Sequence, residues 1–502
     1  MVNFTILAGG FTSFIATYVF DSDAGSLSLT KQNPTGQNPS WIAPHRLNSS
    51  ILYAVNEIGP VGNLQSFLVD EEGGLSLVDT VATGGNGPTF TEALSGGEVS
   101  AMNFGSPNAS FIATDPEDPS RFLRDSPAVN FPVGDGPSNP HQSLEFNGEI
   151  FVPDLGADKI WRIVADGEPG NFKVQGQIDV APGNGPRHIA IRDNILFILH
   201  EKTSVLTAQP IPTAPNGTTL PLLANVSIVP PEAANFNGSF FAAEIVISEI
   251  SEAFPDPLIY VSNRNLGPEF DEAGDSIAIF EWSALTGNST EEELPSPSST
   301  SVSESVSVTA TPTESATTTS GLAGPVVATL TAADSGSVAK RMVKYHARRR
   351  PAHENARRQY GYDYPEPASS PSPSPASDSS SAGSGATITL LSSYTPTAAA
   401  PAESGTQTAA GSASGTATGP VMPTATPTAA TLRLTNQVFT GLRQIRSFAI
   451  GKADENGGDE FLIAGANLDG GVAVFRRTEG GRNLELVTRN TELQSRTSFV
   501  FL

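Results

Sequence analysis

Four side chains stand out as the ones that could share a piece of chemistry: His141, Arg187, Glu201 and Arg264. An imidazole titrates near neutrality, and a carboxylate in a tuned setting exchanges protons as well, so His141 and Glu201 are the candidate donor and acceptor. Guanidinium groups grip carboxylate or phosphate oxygens with two parallel hydrogen bonds, which suits Arg187 and Arg264 to hold a small anion. His200 and His45 are further imidazoles, but a lone strand histidine is more often hydrogen-bonded scaffold. No HExxH, no Cys/His spacing and no acidic calcium-type loop occurs, so the pattern demands no metal and no cofactor.

These residues are far apart in sequence, and a repeat brings them together. Units begin near Pro39, Pro88, Pro140, Pro186, Glu244 and Arg446, each with a short alternating strand, a turn and a second strand. A period of about 45 to 55 residues with four short strands per unit is the signature of a β-propeller. Aligning the units puts Ser40, Thr89, His141, Arg187, Glu244 and Arg446 in one column at the start of the first strand. A second column, at the end of the next strand, holds Glu57, Phe104, Leu155, Glu201, Arg264 and Asn467. Consecutive strands run antiparallel, so the two columns become adjacent rings at the mouth of a central channel. Arg187, Arg264, Glu244, Arg446 and Asn467 form the expected substrate-binding set around the catalytic four. Alternation sends Arg187 and His188 to opposite faces. Buried charges must be paired, so ion pairs joining blades are the structural alternative for any one of these residues.

The chain ends fit the same scheme. Ile6–Gly10 and Phe14–Phe20 match the second and third strands of the last unit, and Thr497–Phe501 is available to supply the missing first strand. Six units plus one shared unit predict an all-β, seven-bladed propeller closed without a free sheet edge. Residues 287–430 turn to Ser, Thr, Ala and Pro with no Trp or Phe, a composition expected to stay disordered. Asp275–Phe280 reads as a third strand and Leu432–Phe439 as a fourth, so the insertion separates propeller segments 1–286 and 431–502 within one blade. Within it the run from Lys340 to Arg358 reads as a solvated charge block.

The chain has 28 basic and 52 acidic residues and a formal net charge of −24, which argues against nucleic acid as partner. A small anionic substrate remains the expected partner, and no apolar stretch is long enough for a membrane span. There is no cysteine, hence no disulfide or thiol chemistry. The opening residues lack the pattern of a signal peptide, whereas sequons at Asn3, Asn48, Asn108, Asn216, Asn225, Asn237 and Asn288 point toward secretion, so compartment and oligomeric state stay open.

At Asn139–Gln142, Val152–Ile160, Gly185–Ala190, Leu199–Glu201, Tyr260–Asn265 with Asp275–Phe280, and Gly470–Phe475 the chain resembles the seven-bladed propeller lactonases. That family includes bacterial 6-phosphogluconolactonase and fungal carboxy-cis,cis-muconate cyclase. The resemblance implies a metal-free site of His141, Arg187, Glu201 and Arg264, acting either to open a sugar lactone or to close a muconate-type polycarboxylate. The segment Asn265–Gly274 is an addition to the family pattern and is expected to reshape the mouth. A non-catalytic binding or scaffold propeller is the alternative from another class.

Overall fold

The computed structural model describes residues 2–213, 219–235, 237–267, 269–283, 430–454 and 456–502. The described residues form seven four-stranded antiparallel sheets, each in simple up-and-down order. Blades are numbered here from the N-terminus. Blade 1 combines the C-terminal strand Arg496–Phe501 with Asn3–Gly10, Phe14–Asp21 and Ser26–Pro34. Blades 2 to 7 open with innermost strands at Ile42–Pro44, Pro88–Phe90, Leu144–Phe146, Pro186–Arg192, Phe240–Ile247 and Arg443–Ile450. The seven blades and the closing strand are those expected from the repeat.

The core is divided among the interfaces between blades. Alternating residues of a strand face opposite neighbours. In blade 4, Ile150 and Val152 join Phe90, Met102 and Phe111 of blade 3, while Phe151 joins Ile189, Leu196 and Ile198 of blade 5. In blade 5, Phe197 and Leu199 turn the other way, against Ile245, Ile259 and Val261 of blade 6. Strands buried on both faces read as unbroken apolar runs, as Ile51–Val55 does. Seven such clusters occupy the seven interfaces. The closing one packs Phe499 and Phe501 with Phe4, Phe20 and Phe461, whose rings lie 4.8–6.3 Å apart.

In blade 6 the third strand ends at Ser283 and the fourth begins at Thr431, and these two residues are directly paired. Their hydroxyl oxygens lie 2.8 Å apart. The expected insertion, including the basic run from Lys340, lies outside the described residues. No helix among the described residues is long and apolar enough to cross a membrane.

Because Ser283 and Thr431 already face each other, replacing residues 284–430 with an Asn-Gly turn should preserve the ring. Circular dichroism should show an all-β spectrum and one cooperative thermal transition within a few degrees of the parent. Loss of cooperative unfolding would show that the segment holds the blade together.

Candidate functional site

A defect repeated in the innermost strands decides what faces the mouth. In blade 5 the ladder slips between Pro186 and His188, leaving Arg187 in a bulge, and blade 3 does the same at Thr89. Blade 7 slips between Ile445 and Phe448, freeing Arg446 and Ser447. A bulge bends the strand and re-aims the side chain it releases. Ser40, Thr89, His141, Arg187, Arg446 and Thr497 consequently share one open recess of about 230 Å³ with Trp41 and Glu57. Six of the seven blades contribute to that wall.

Local hydrogen bonds hold the turns that present these residues. Asp158 accepts from the backbone N–H of Gly183 and Gly185 at 2.8 and 2.7 Å, fixing the turn before Pro186-Arg187. Gly185 has φ +64°, a conformation that favours glycine. Asp154 plays the same part for His141: it accepts from Asn139 N–H at 2.7 Å and from the Trp161 indole at 3.0 Å. The family-like runs around both aspartates are therefore turn chemistry.

Glu201 lies between two arginines. Its Oε2 is 3.0 Å from Arg187 Nε and 3.0 Å from Arg264 Nη2. Arg264 also donates to the carbonyls of Phe241 and Ala242, at 3.2 and 2.9 Å, and is 0 % exposed. Arg187 donates to the Ala243 carbonyl. One carboxylate thus serves two guanidiniums and ties blade 5 to blade 6. Arg187 borders the recess, while Glu201 and Arg264 stand behind it.

His141 is 2 % exposed, and neither of its ring nitrogens has a hydrogen-bond partner in the protein. Phe104 meets its ring edge-on at 5.6 Å, and the His188 ring lies 5.1 Å away. Burial, with the nearby Arg187, His188 and Arg446, holds its pKa well below the usual imidazole value, so the ring is neutral at physiological pH. Burial likewise pushes the Glu57 carboxyl up, opposed chiefly by Arg446. Arg446 stacks over Phe11 at 5.1 Å.

Two members of the expected set sit elsewhere. Glu244 lies one residue past its column. Pro186 pairs with His200, just before Glu201, and Ala242 pairs with Asn263, just before Arg264, so Ala243 is the true counterpart of Arg187. Glu244 instead meets His188, Oε1 to Nδ1, at 2.7 Å. Asn467 bridges blades: its amide donates to Gln444 and accepts from Ser495. His200 is held by Thr207 at 2.8 Å, and His45 Nδ1 accepts from two backbone N–H groups, both scaffold roles. The added segment borders a different recess, of about 250 Å³, through Asn265, Asp271 and Gly274. None of its described residues is among those lining the His141 recess. Glu57, Trp41 and Thr497 were not selected from sequence as site residues, although Glu57 shares the register of Glu201.

The family described as a seven-bladed β-propeller lactonase matches residues 5–299, more than half of the chain. A probable 6-phosphogluconolactonase of Arthroderma benhamiae is 25% identical over 296 residues, covering 56% of this chain and 70% of that protein. The 6-phosphogluconolactonase of Bacillus subtilis is 24% identical over 286 residues, 54% of this chain and 75% of its own length. Among solved structures, the periplasmic gluconolactonase of Pseudomonas aeruginosa superposes with a TM-score of 0.60 at 14% identity, covering 100% of this chain and 99% of that one. That last likeness is one of fold. With seven blades, a ring closed by its terminal strand and a family match over residues 5–299, this chain belongs to the seven-bladed β-propeller lactonases.

Proposed function

We propose that the recess hydrolyses a small anionic lactone, with 6-phosphogluconolactone as the first substrate to test. One observation carries this reading: a buried, neutral imidazole with both nitrogens unpartnered lines a recess that Arg187 and Arg446 also border. His141 takes a proton from water as the water oxygen bonds to the lactone carbonyl carbon. The carbonyl electron pair moves to oxygen beside Arg187, whose position Glu201 fixes. The adduct then breaks the ring C–O bond, and His141 returns its proton to the departing ring oxygen, giving the hydroxy acid. Arg446 holds the substrate's phosphate or carboxylate. Glu201, engaged by two guanidiniums, is a poor base and serves as the anchor of Arg187. A charged donor at a developing oxyanion is worth about 3–4 kcal/mol.

Closure of a muconate-type polycarboxylate is the second reading, favoured by the two guanidiniums on one recess. Arg446 then replaces Arg264 as the second carboxylate ligand, because Arg264 is buried on backbone carbonyls. Incubation with 3-carboxy-cis,cis-muconate and with 6-phosphogluconolactone separates the readings, and turnover of neither supports a binding propeller.

His141→Gln should lower kcat/KM by roughly 10²- to 10⁴-fold; wild-type turnover in that variant would remove the base from the account. A base works only when deprotonated, and the His141 pKa is depressed. The kcat/KM profile should therefore stay flat through neutrality and fall only well below pH 6.5. An acidic limb at or above pH 6.5 contradicts the assignment. Dialysis against EDTA should leave turnover unchanged, and loss restored by a divalent cation would reject the metal-free mechanism. Glu201→Ala should lower unfolding stability by about 3–5 kcal/mol in denaturant titration, since it leaves two buried guanidiniums facing each other. Unchanged stability would show that Glu201 is not their anchor.

A further inference from the structure

Beneath the recess a second imidazole is built into the channel. His188 is 0 % exposed, and the rings of Trp41 and Phe90 meet it edge-on at 5.3 and 5.9 Å. Its Nδ1 lies 2.7 Å from Glu244 Oε1, an oxygen that also accepts the Ile245 N–H at 3.0 Å. The Nε2 of His188 has no protein partner, nor has either nitrogen of its neighbour His141. A buried pair serving only to join blades would be expected to have its polar atoms satisfied. Here the two rings with unmet nitrogens lie 5.1 Å apart, centre to centre.

We infer that Glu244, His188 and His141 form a carboxylate–imidazole–imidazole chain, in which Glu244 sets the tautomer of His188 and His188 sets that of His141. The inference rests on the reading of His141 as the base. With Glu244 accepting from Nδ1–H, His188 presents the Nε2 lone pair. Rings whose centres are 5.1 Å apart can bring two nitrogens to about 3 Å by rotation of one ring, a hydrogen-bonding distance. His141 then donates its inner N–H to His188 and turns an unprotonated outer nitrogen to the recess. When His141 takes a proton from water, the positive charge forms next to an acceptor backed by a carboxylate. Arg187 and Arg446 bear on His141 from the mouth, and Arg187 and Glu201 on His188, while burial keeps His188 neutral. His188 and Glu244 are positioning residues, acting through His141.

The chain contains six histidines, so nitrogen-15 spectra of the histidine-labelled full-length protein can be assigned with His141→Gln and His188→Gln. In the wild type, His188 should be the Nδ1–H tautomer and His141 a single neutral tautomer. An Nε2–H tautomer at His188, or a mixture at His141, overturns the chain. Glu244→Leu should give a tautomer mixture at His141 and lower kcat on 6-phosphogluconolactone roughly 10- to 100-fold with little change in KM. Glu244→Gln keeps an acceptor and should restore the tautomer and part of kcat. If His141→Gln is inactive while Glu244→Leu keeps the wild-type kcat and tautomer, the chain is wrong and the base stands. If His141→Gln is fully active, the underlying reading fails first.

Discussion

The pairing of Arg496–Phe501 with Asn3–Gly10 is the constraint on which the rest depends. Each blade buries its faces only against its neighbours, so seven interfaces require seven blades and a closed circle. The last strand of the chain supplies the first strand of the first blade and removes both open edges. It also carries Thr497 into the recess wall, so the site is completed only when the ring is.

Within the closed ring, the candidate site lies where the sheet is imperfect. Regular pairing would send Arg187 into a blade interface among apolar side chains. The bulge after Pro186 releases it to the channel mouth, where Glu201 meets it at 3.0 Å. The same device at Thr89 and Arg446 builds the opposite walls. Binding a second guanidinium, Arg264, to the same carboxylate fixes Arg187 without fully cancelling the positive charge offered to an anion. His141 stays neutral because it is buried among cations, and a neutral imidazole is the form able to accept a proton.

Much of this was legible in the sequence for a physical reason. Proline before the column residue is turn chemistry, and it recurs with the turn at Pro39, Pro88, Pro140 and Pro186. Blades 6 and 7 have Ala242 and Ile445 where blades 2 to 5 have proline, and both bulges hold two residues; without the proline as a marker the alignment slid by one in blade 6 and placed Glu244 in the column. The partnership of Glu244 with His188 spans 56 residues and two blades, and no local spacing encodes it. Glu57 stood in the same column as Glu201, but its proximity to Arg446 arises only from closure. Burial of Arg264 on the Phe241 and Ala242 carbonyls was likewise hidden, because an exposed and a buried arginine read alike.

The central claim is that the recess at the mouth of the ring receives the small anion. A crystal structure of the full chain with 6-phosphogluconate tests it most directly. The account predicts the product's carboxylate between His141 and Arg187 and its phosphate at Arg446. Density for the molecule only outside this recess, or none at saturating concentration, would contradict it.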